Sequence, residues 1–194
     1  MSTSKKIPIE KATSISRRFL KLIQPHVLKC EVAGSLRRQC KEIGDIDIVC
    51  VEDLKNPLSN VFHKNFKGMT TNGPRLKRFK YPEENVQIEL HIAQPFDYGR
   101  ILAIKTGSSA FSHIKLAITW NRKGWCGTVD GLRRKSQCTK KGNKWYIRPE
   151  FKENPTLPPV FNNEVDFFTF LELPWIPPEE RNWQSKYDKY NYAT

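Results

Sequence analysis

Residues 34–49 read GSLRRQCKEIGDIDIV. In the second half, Ile46, Ile48 and the following Cys50 alternate with Asp45, Asp47 and Val49, the period of a half-buried strand, entered by a turn at Ile43-Gly44. Aspartate is depleted in strand interiors. Asp45 and Asp47 stand two apart, so both point to one face, about 6.5–7 Å from each other, and two like charges so placed call for a cation. In the first half, Val27 to Ala33 alternates Leu28, Cys30 and Val32 against Lys29 and Glu31, a second strand that ends at Gly34, and a short helix can start at Ser35. Gly34 permits close approach there. Backbone N–H groups and the Ser35 hydroxyl at such a junction suit a phosphate. Arg37 and Arg38 oppose the helix dipole in that first turn, yet become reasonable beside a polyphosphate.

On the N-terminal side, residues 9–24 place Ala12, Ile15, Phe19, Leu20 and Ile23 at helical steps between Pro8 and Pro25, an amphipathic helix. On the other side, 53–67 are expected to hold a helix. MTT (69–71), RLKRFKY (75–81) and VQIELHIA (86–93) read as strands separated by turn residues. In the last of these Val86, Ile88, Leu90 and Ile92 form the apolar face, leaving Gln87, Glu89 and His91 on the other. If this strand neighbours the Asp45 strand, three carboxylates converge. Oxygen ligands in that number suit Mg²⁺ or Mn²⁺, and two such ions about 3.5–4 Å apart serve in-line phosphoryl transfer. The competing reading is a solvated sheet face whose acids pair with nearby Lys or Arg. Further on, 108–120 are predicted as a capped helix, GLRRK and KWYIR as a hairpin around Lys140 to Asn143, and roughly Glu164 to Leu171 as a last helix. The expected class is α+β, a mixed sheet with helices on one face.

Composition narrows the partners. Among 194 residues, 33 Lys and Arg against 20 Asp and Glu give +13, which points to a polyanion, nucleic acid or an anionic membrane surface. No apolar run approaches the ~20 residues of a membrane span, so no membrane partner is expected. The N-terminus lacks the apolar stretch of a secretory signal, and an intracellular protein is expected. Five cysteines without a CxxC argue against a disulfide framework or a zinc ribbon. The four histidines show no paired spacing, so a histidine metal site is set aside.

GSLRRQCKEIGDIDIV resembles the GS(x)RR…GDxDxL signature of the family X DNA polymerases, the polymerase beta-like group of nucleotidyltransferases. VQIELHI is similar to the family's third-carboxylate strand, TGSSAF to its TGS turn, KGW followed by GL to the next helix-to-strand segment, and LELPWIPPEERNW to its C-terminal motif. The resemblance implies a nucleotidyltransferase palm over residues 1–100 and a small thumb-like subdomain over 101–194. It implies that Asp45, Asp47 and Glu89 hold two Mg²⁺ ions, with Mn²⁺ an alternative. Gly34, Ser35, Arg37 and Arg38 would receive the triphosphate, Thr106, Gly107 and Ser108 would form the turn beside the sugar, and Ser112 stands where the family has an Asn near the base. The implied activity is template-directed gap filling on gapped or nicked DNA from nucleoside triphosphates, in DNA repair, by a monomer.

Three departures stand out. The third carboxylate is Glu, one methylene longer than the usual Asp. Ile104-Lys105 replaces the aromatic pair before the TGS turn, which opens ribonucleotide use. The match begins at about Ile7, so the family's lyase and helix-hairpin-helix domains are not expected, as in compact viral or phage members. Basic clusters would then grip DNA by salt-sensitive phosphate contacts: Arg75, Lys77, Arg78 and Lys80 about one strand, and Arg133, Arg134, Lys135, Lys140, Lys141 and Lys144 in the predicted hairpin. Trp120, Trp125 and Trp145 read as packing residues rather than stacking platforms. Two rival classes remain, a template-independent or RNA-directed nucleotidyltransferase, and a non-catalytic nucleic-acid-binding protein on a decayed polymerase fold.

Overall fold

Apolar residues at helical spacing bury Ala12, Ile15, Phe19 and Ile23 along one side of the first helix, while Arg17, Arg18 and Lys21 stay exposed. The computed structural model describes residues 6–66, 69–82, 84–153 and 156–184. In chain order its first part comprises β1 (Ile7–Pro8), α1 (Ile9–Ile23), β2 (Val27–Val32), α2 (Gly34–Arg37), β3 (Glu42–Ile43), β4 (Asp45–Glu52), α3 (Ser59–Asn65), β5 (Thr71–Asn72), β6 (Leu76–Tyr81) and β7 (Val86–Ile92). β1 pairs with β3. The other five strands form one sheet in the order β2-β4-β7-β6-β5, mixed because β4 and β7 run parallel and the remaining neighbours antiparallel.

α1 and α3 cover one face of this sheet. Ile46, Ile48 and Cys50 of β4 and Ile88 and Leu90 of β7 meet Phe19, Phe62, Phe66 and Phe79 there. The rings pack closely, Phe66 against Phe79 at a centroid distance of 4.4 Å. Each such fully buried side chain is worth roughly 1.5–3 kcal/mol. The expectation of helices on one face needs correction. A further helix, α4 (Tyr98–Thr106), packs on the opposite face, where Tyr98 and Leu102 meet Val49 and Val51. The acids at the start of β4 therefore share a face with apolar residues at its end, and α4 covers only the latter.

The rest of the chain builds around a second core. A π-helical turn (Phe111–Ala117) runs into α5 (Ile118–Arg122), followed by β8 (Trp125–Thr128), β9 (Gly131–Arg134), β10 (Cys138–Lys141), β11 (Lys144–Ile147) and α6 (Glu164–Phe170). Trp120 and Trp125 are buried with Phe111, Leu132, Phe161 and Phe167. The predicted hairpin is re-paired. GLRR joins Trp125–Thr128 and KWYI joins Cys138–Lys141, because short turns, at Val129-Asp130 and at Gly142-Asn143, close two separate ribbons. The helix predicted over 53–67 is confined, among the described residues, to Ser59–Asn65, and the MTT strand to Thr71–Asn72, while the last helix lies where expected. No helix among the described residues is long and apolar enough to cross a membrane.

Candidate active site

The parallel pairing of β4 and β7 sets Asp45 opposite Gln87 and Asp47 opposite Glu89, on the face away from α1 and α3. The strand period thus delivers the carboxylates to one place, and it delivers His91 with them. His91 is 5% exposed, with Nε2 3.0 Å from Asp47 Oδ1 and 3.7 Å from Glu89 Oε2. Asp47, Glu89 and His91 each offer a ligand atom within 4.8 Å of the others. The cluster thus includes a histidine, a residue type the sequence reading set aside for metal binding. Its signal was present, since period two puts residue 91 on the face of residue 89.

Glu89 is held from the neighbouring strand. Arg78 lies opposite it in the β6–β7 register and donates through Nε to Oε1 at 2.7 Å, and Gln87 Nε2 donates to the same oxygen at 3.1 Å. Part of the competing reading, acids paired with a local cation, is therefore present within the cluster itself. Asp45 stands beside this group. Burial raises its pKa above the ordinary 3.8, the charges of Asp47 and Glu89 raise it further, and Arg78 opposes them. Ionised Asp45 thus destabilises the metal-free fold once the pH rises through its elevated pKa, and has no such effect below the ordinary carboxylate range, where it is protonated folded or unfolded. Asp45→Asn is accordingly expected to raise the melting temperature of the metal-free protein at neutral pH, with the gain vanishing as the pH falls toward about 4. Thermal unfolding without divalent cations, followed across that window, checks this.

Gly34 closes the other side. Its φ is +60°, and a Cβ there would lie 2.2 Å from Asp47 Oδ2, while the neighbouring Ala33 N–H donates to the Asp47 carbonyl at 2.8 Å. Gly34→Ala is expected to lose at least about 1–2 kcal/mol in a denaturant titration, from the left-handed backbone alone, and to displace Asp47. From α2 onward the two arginines part company. Arg37 gives Nη1 to Thr106 Oγ1 at 2.7 Å and grips both Glu164 oxygens at 2.9 Å. Arg38 donates Nη1 to the Thr106 carbonyl at 2.8 Å and keeps a buried Nε without a partner among the described residues. Ser35 is half-buried at the start of the same helical turn.

Thr106 is fully buried, and the turn after it is joined to the C-terminal motif. Ser108 N–H donates to the Arg181 carbonyl at 3.0 Å and its Oγ to the Trp183 carbonyl at 2.9 Å. Ser112 Oγ donates back to the Ile104 carbonyl at 2.7 Å, and a Cβ on Gly107 would strike the Phe111 ring at 2.5 Å. Arg181, wholly buried, donates to Glu164 Oε1 at 2.5 Å and to the Ile176 carbonyl at 2.8 Å, and sits over the Phe168 ring. The Arg37–Glu164–Arg181 triad escaped the sequence reading, which saw Glu164 only as a helix start.

The basic residues expected to grip DNA are dispersed. Arg78 is at Glu89, and Lys80 shares its face of β6 and is exposed. Lys77 points to the helix-covered face, over the Phe62 ring and bonded to Asn72. Arg75 reaches Asp130 at 3.4 Å. Arg133 is buried, Arg134 stacks 4.0 Å from the Trp125 centroid, Lys135 donates to the Asn121 carbonyl, and Lys140 is exposed.

Solved structures with the same architecture include polymerase beta of Leishmania infantum. In its ternary gap complex the TM-score is 0.68 at 16% identity, over 91% of this chain and 71% of that one. The fold is similar to that of polymerase beta. The ternary P/T complex of the same protein gives 0.66 at 18%, over 92% and 77%. No protein-family model and no curated protein matches the sequence.

Proposed function

We propose that the protein is a polymerase-like nucleotidyltransferase of the family X kind, which extends a primer 3′-hydroxyl by template-directed synthesis across a short gap in duplex DNA. The supporting observation is the in-register placement of Asp47, itself against Gly34, beside Glu89, with Asp45 on the same face, on a fold similar to polymerase beta.

The donor set fits divalent cations. Clustered carboxylate oxygens suit Mg²⁺ or Mn²⁺, and burial, together with the charges of Asp47 and Glu89, holds the pKa of Asp45 up, a penalty on its ionised form that a bound cation would offset. Asp45, Asp47 and Glu89 would hold the ions, which when bound supply Lewis-acid stabilisation of the charge that develops in phosphoryl transfer. Arg78 and Gln87 orient Glu89, and the longer Glu side chain is what lets Oε1 meet both while Oε2 stays near His91. Arg38, whose Nε has no partner among the described residues, and Ser35 would receive the triphosphate, whereas Arg37 acts by fixing the turn at Thr106 to α6.

Incubation with a gapped duplex, Mg²⁺ or Mn²⁺, and deoxy- and ribonucleoside triphosphates in parallel tests the reading. The expected result is incorporation of the nucleotide complementary to the template base. Incorporation indifferent to that base, or addition to a single strand or to RNA in preference to the gap, would replace it with the template-independent or RNA-directed alternative.

A further inference from the structure

The two ribbons, β8–β9 and β10–β11, flank a groove of about 820 Å³ lined by Val129, Arg133, Lys141, Trp145, Tyr146 and Lys152 among others. That volume lies within the ~300–1,000 Å³ typical of ligand sites. Its surroundings carry one sign of charge, since residues 131–148 hold seven Lys and Arg and no Asp or Glu. The acid on the lining, Asp130, is engaged by Arg75, whose carbonyl accepts the Ile92 N–H at the end of β7. The groove therefore adjoins the sheet that carries the acidic cluster.

Two side chains give it a chemical character beyond charge. Tyr146 exposes 44% of its surface in a ribbon whose two ends carry lysines. Arg133 is 8% exposed, donates Nη1 to the Thr156 carbonyl at 2.7 Å, and leaves Nε buried without an acceptor among the described residues. An orphaned buried donor is unfavourable, and an anionic oxygen in the groove would answer it. Lysines at the rim, an arginine beneath and the open ring of Tyr146 fit a ligand that offers phosphates and flat apolar faces together. A duplex hides its base faces in the stack. An unpaired strand presents both.

We infer that this groove binds a short single-stranded segment of nucleic acid, a base against Tyr146 and its phosphates on Lys141, Lys152 and Arg133. The inference deepens the gap-filling reading and rests on it for the natural ligand, the unpaired template beyond the primer. Binding of unpaired DNA can nevertheless be measured without catalysis.

Fluorescence anisotropy with a 5′-labelled oligodeoxythymidylate and with a blunt duplex of equal length is the test. Tyr146→Ala is expected to weaken the single strand between about 5- and 100-fold, the range for loss of one base stack, while leaving the duplex within twofold. Lys141→Glu should weaken the single strand and flatten its salt dependence. Single-strand affinity unchanged in both variants, or equal losses on single strand and duplex, would overturn the inference. Asp47→Asn separates the two readings. Oligothymidylate binding that survives in this variant supports the groove whatever the outcome of primer extension, whereas binding lost with Asp47 places the single strand at the acidic cluster and removes the groove.

Discussion

On the proposed function, Asp47→Asn is expected to abolish nucleotide incorporation on a gapped duplex, by on the order of 10³-fold or more, because several kcal/mol of charge stabilisation vanish and each 1.36 kcal/mol is a factor of ten. The substitution is nearly isosteric. It keeps the contact with Gly34 and can still pair with His91, so the fold remains and the loss falls on chemistry. A second readout accompanies activity. Mg²⁺ or Mn²⁺ is expected to raise the melting temperature of the wild-type protein by binding the native state, and this increment should disappear in Asp47→Asn. Wild-type incorporation by Asp47→Asn would remove Asp47 from the metal site, and an unchanged increment would place the ions elsewhere.

Glu164→Ala has the largest expected effect on stability, about 3–5 kcal/mol, which for a chain of this size lowers the melting temperature by roughly 6–20 °C. The reason lies in what is left behind. Arg181 has no exposed surface, and without Glu164 its charge stays buried with, among the described residues, the Ile176 carbonyl and aromatic faces for company. Arg37 loses both of its bonds to Glu164 in the same step and keeps its ion pair with Glu31 at 3.4 Å. The triad ties α2, beside Gly34, to α6 and to the TGS turn, so incorporation should fall along with stability. Urea titration of Glu164→Ala, Arg37→Ala and the double variant measures the coupling, and additive losses would show that the two residues do not act as a unit.

The reach of sequence reading is clear at particular residues. Alternation alone placed Asp45 and Asp47 on one face and Glu89 on the face opposite Ile88 and Leu90, and these assignments match the register found. α1 declared itself by its spacing between prolines. α4 did not, because it is packed on more than one side, burying Tyr98, Arg100, Leu102, Ala103 and Thr106, and so lacks the polar stripe that marks an amphipathic helix. The two ribbons were misjoined because a basic strand pairs equally well in pattern with either neighbour, and only the turn geometry at Gly131 and Gly142 chooses.

Sequence by itself thus determined which faces the strands present and which residues carry charge onto them, since side-chain direction follows from backbone period. Only the tertiary structure decided that β4 and β7 lie side by side, that His91 and Arg78 join the acids, and that Arg37 closes on Glu164 127 residues away. Periodicity is local, whereas strand adjacency and ion pairing depend on how the whole chain satisfies its buried surface and its buried charges at once.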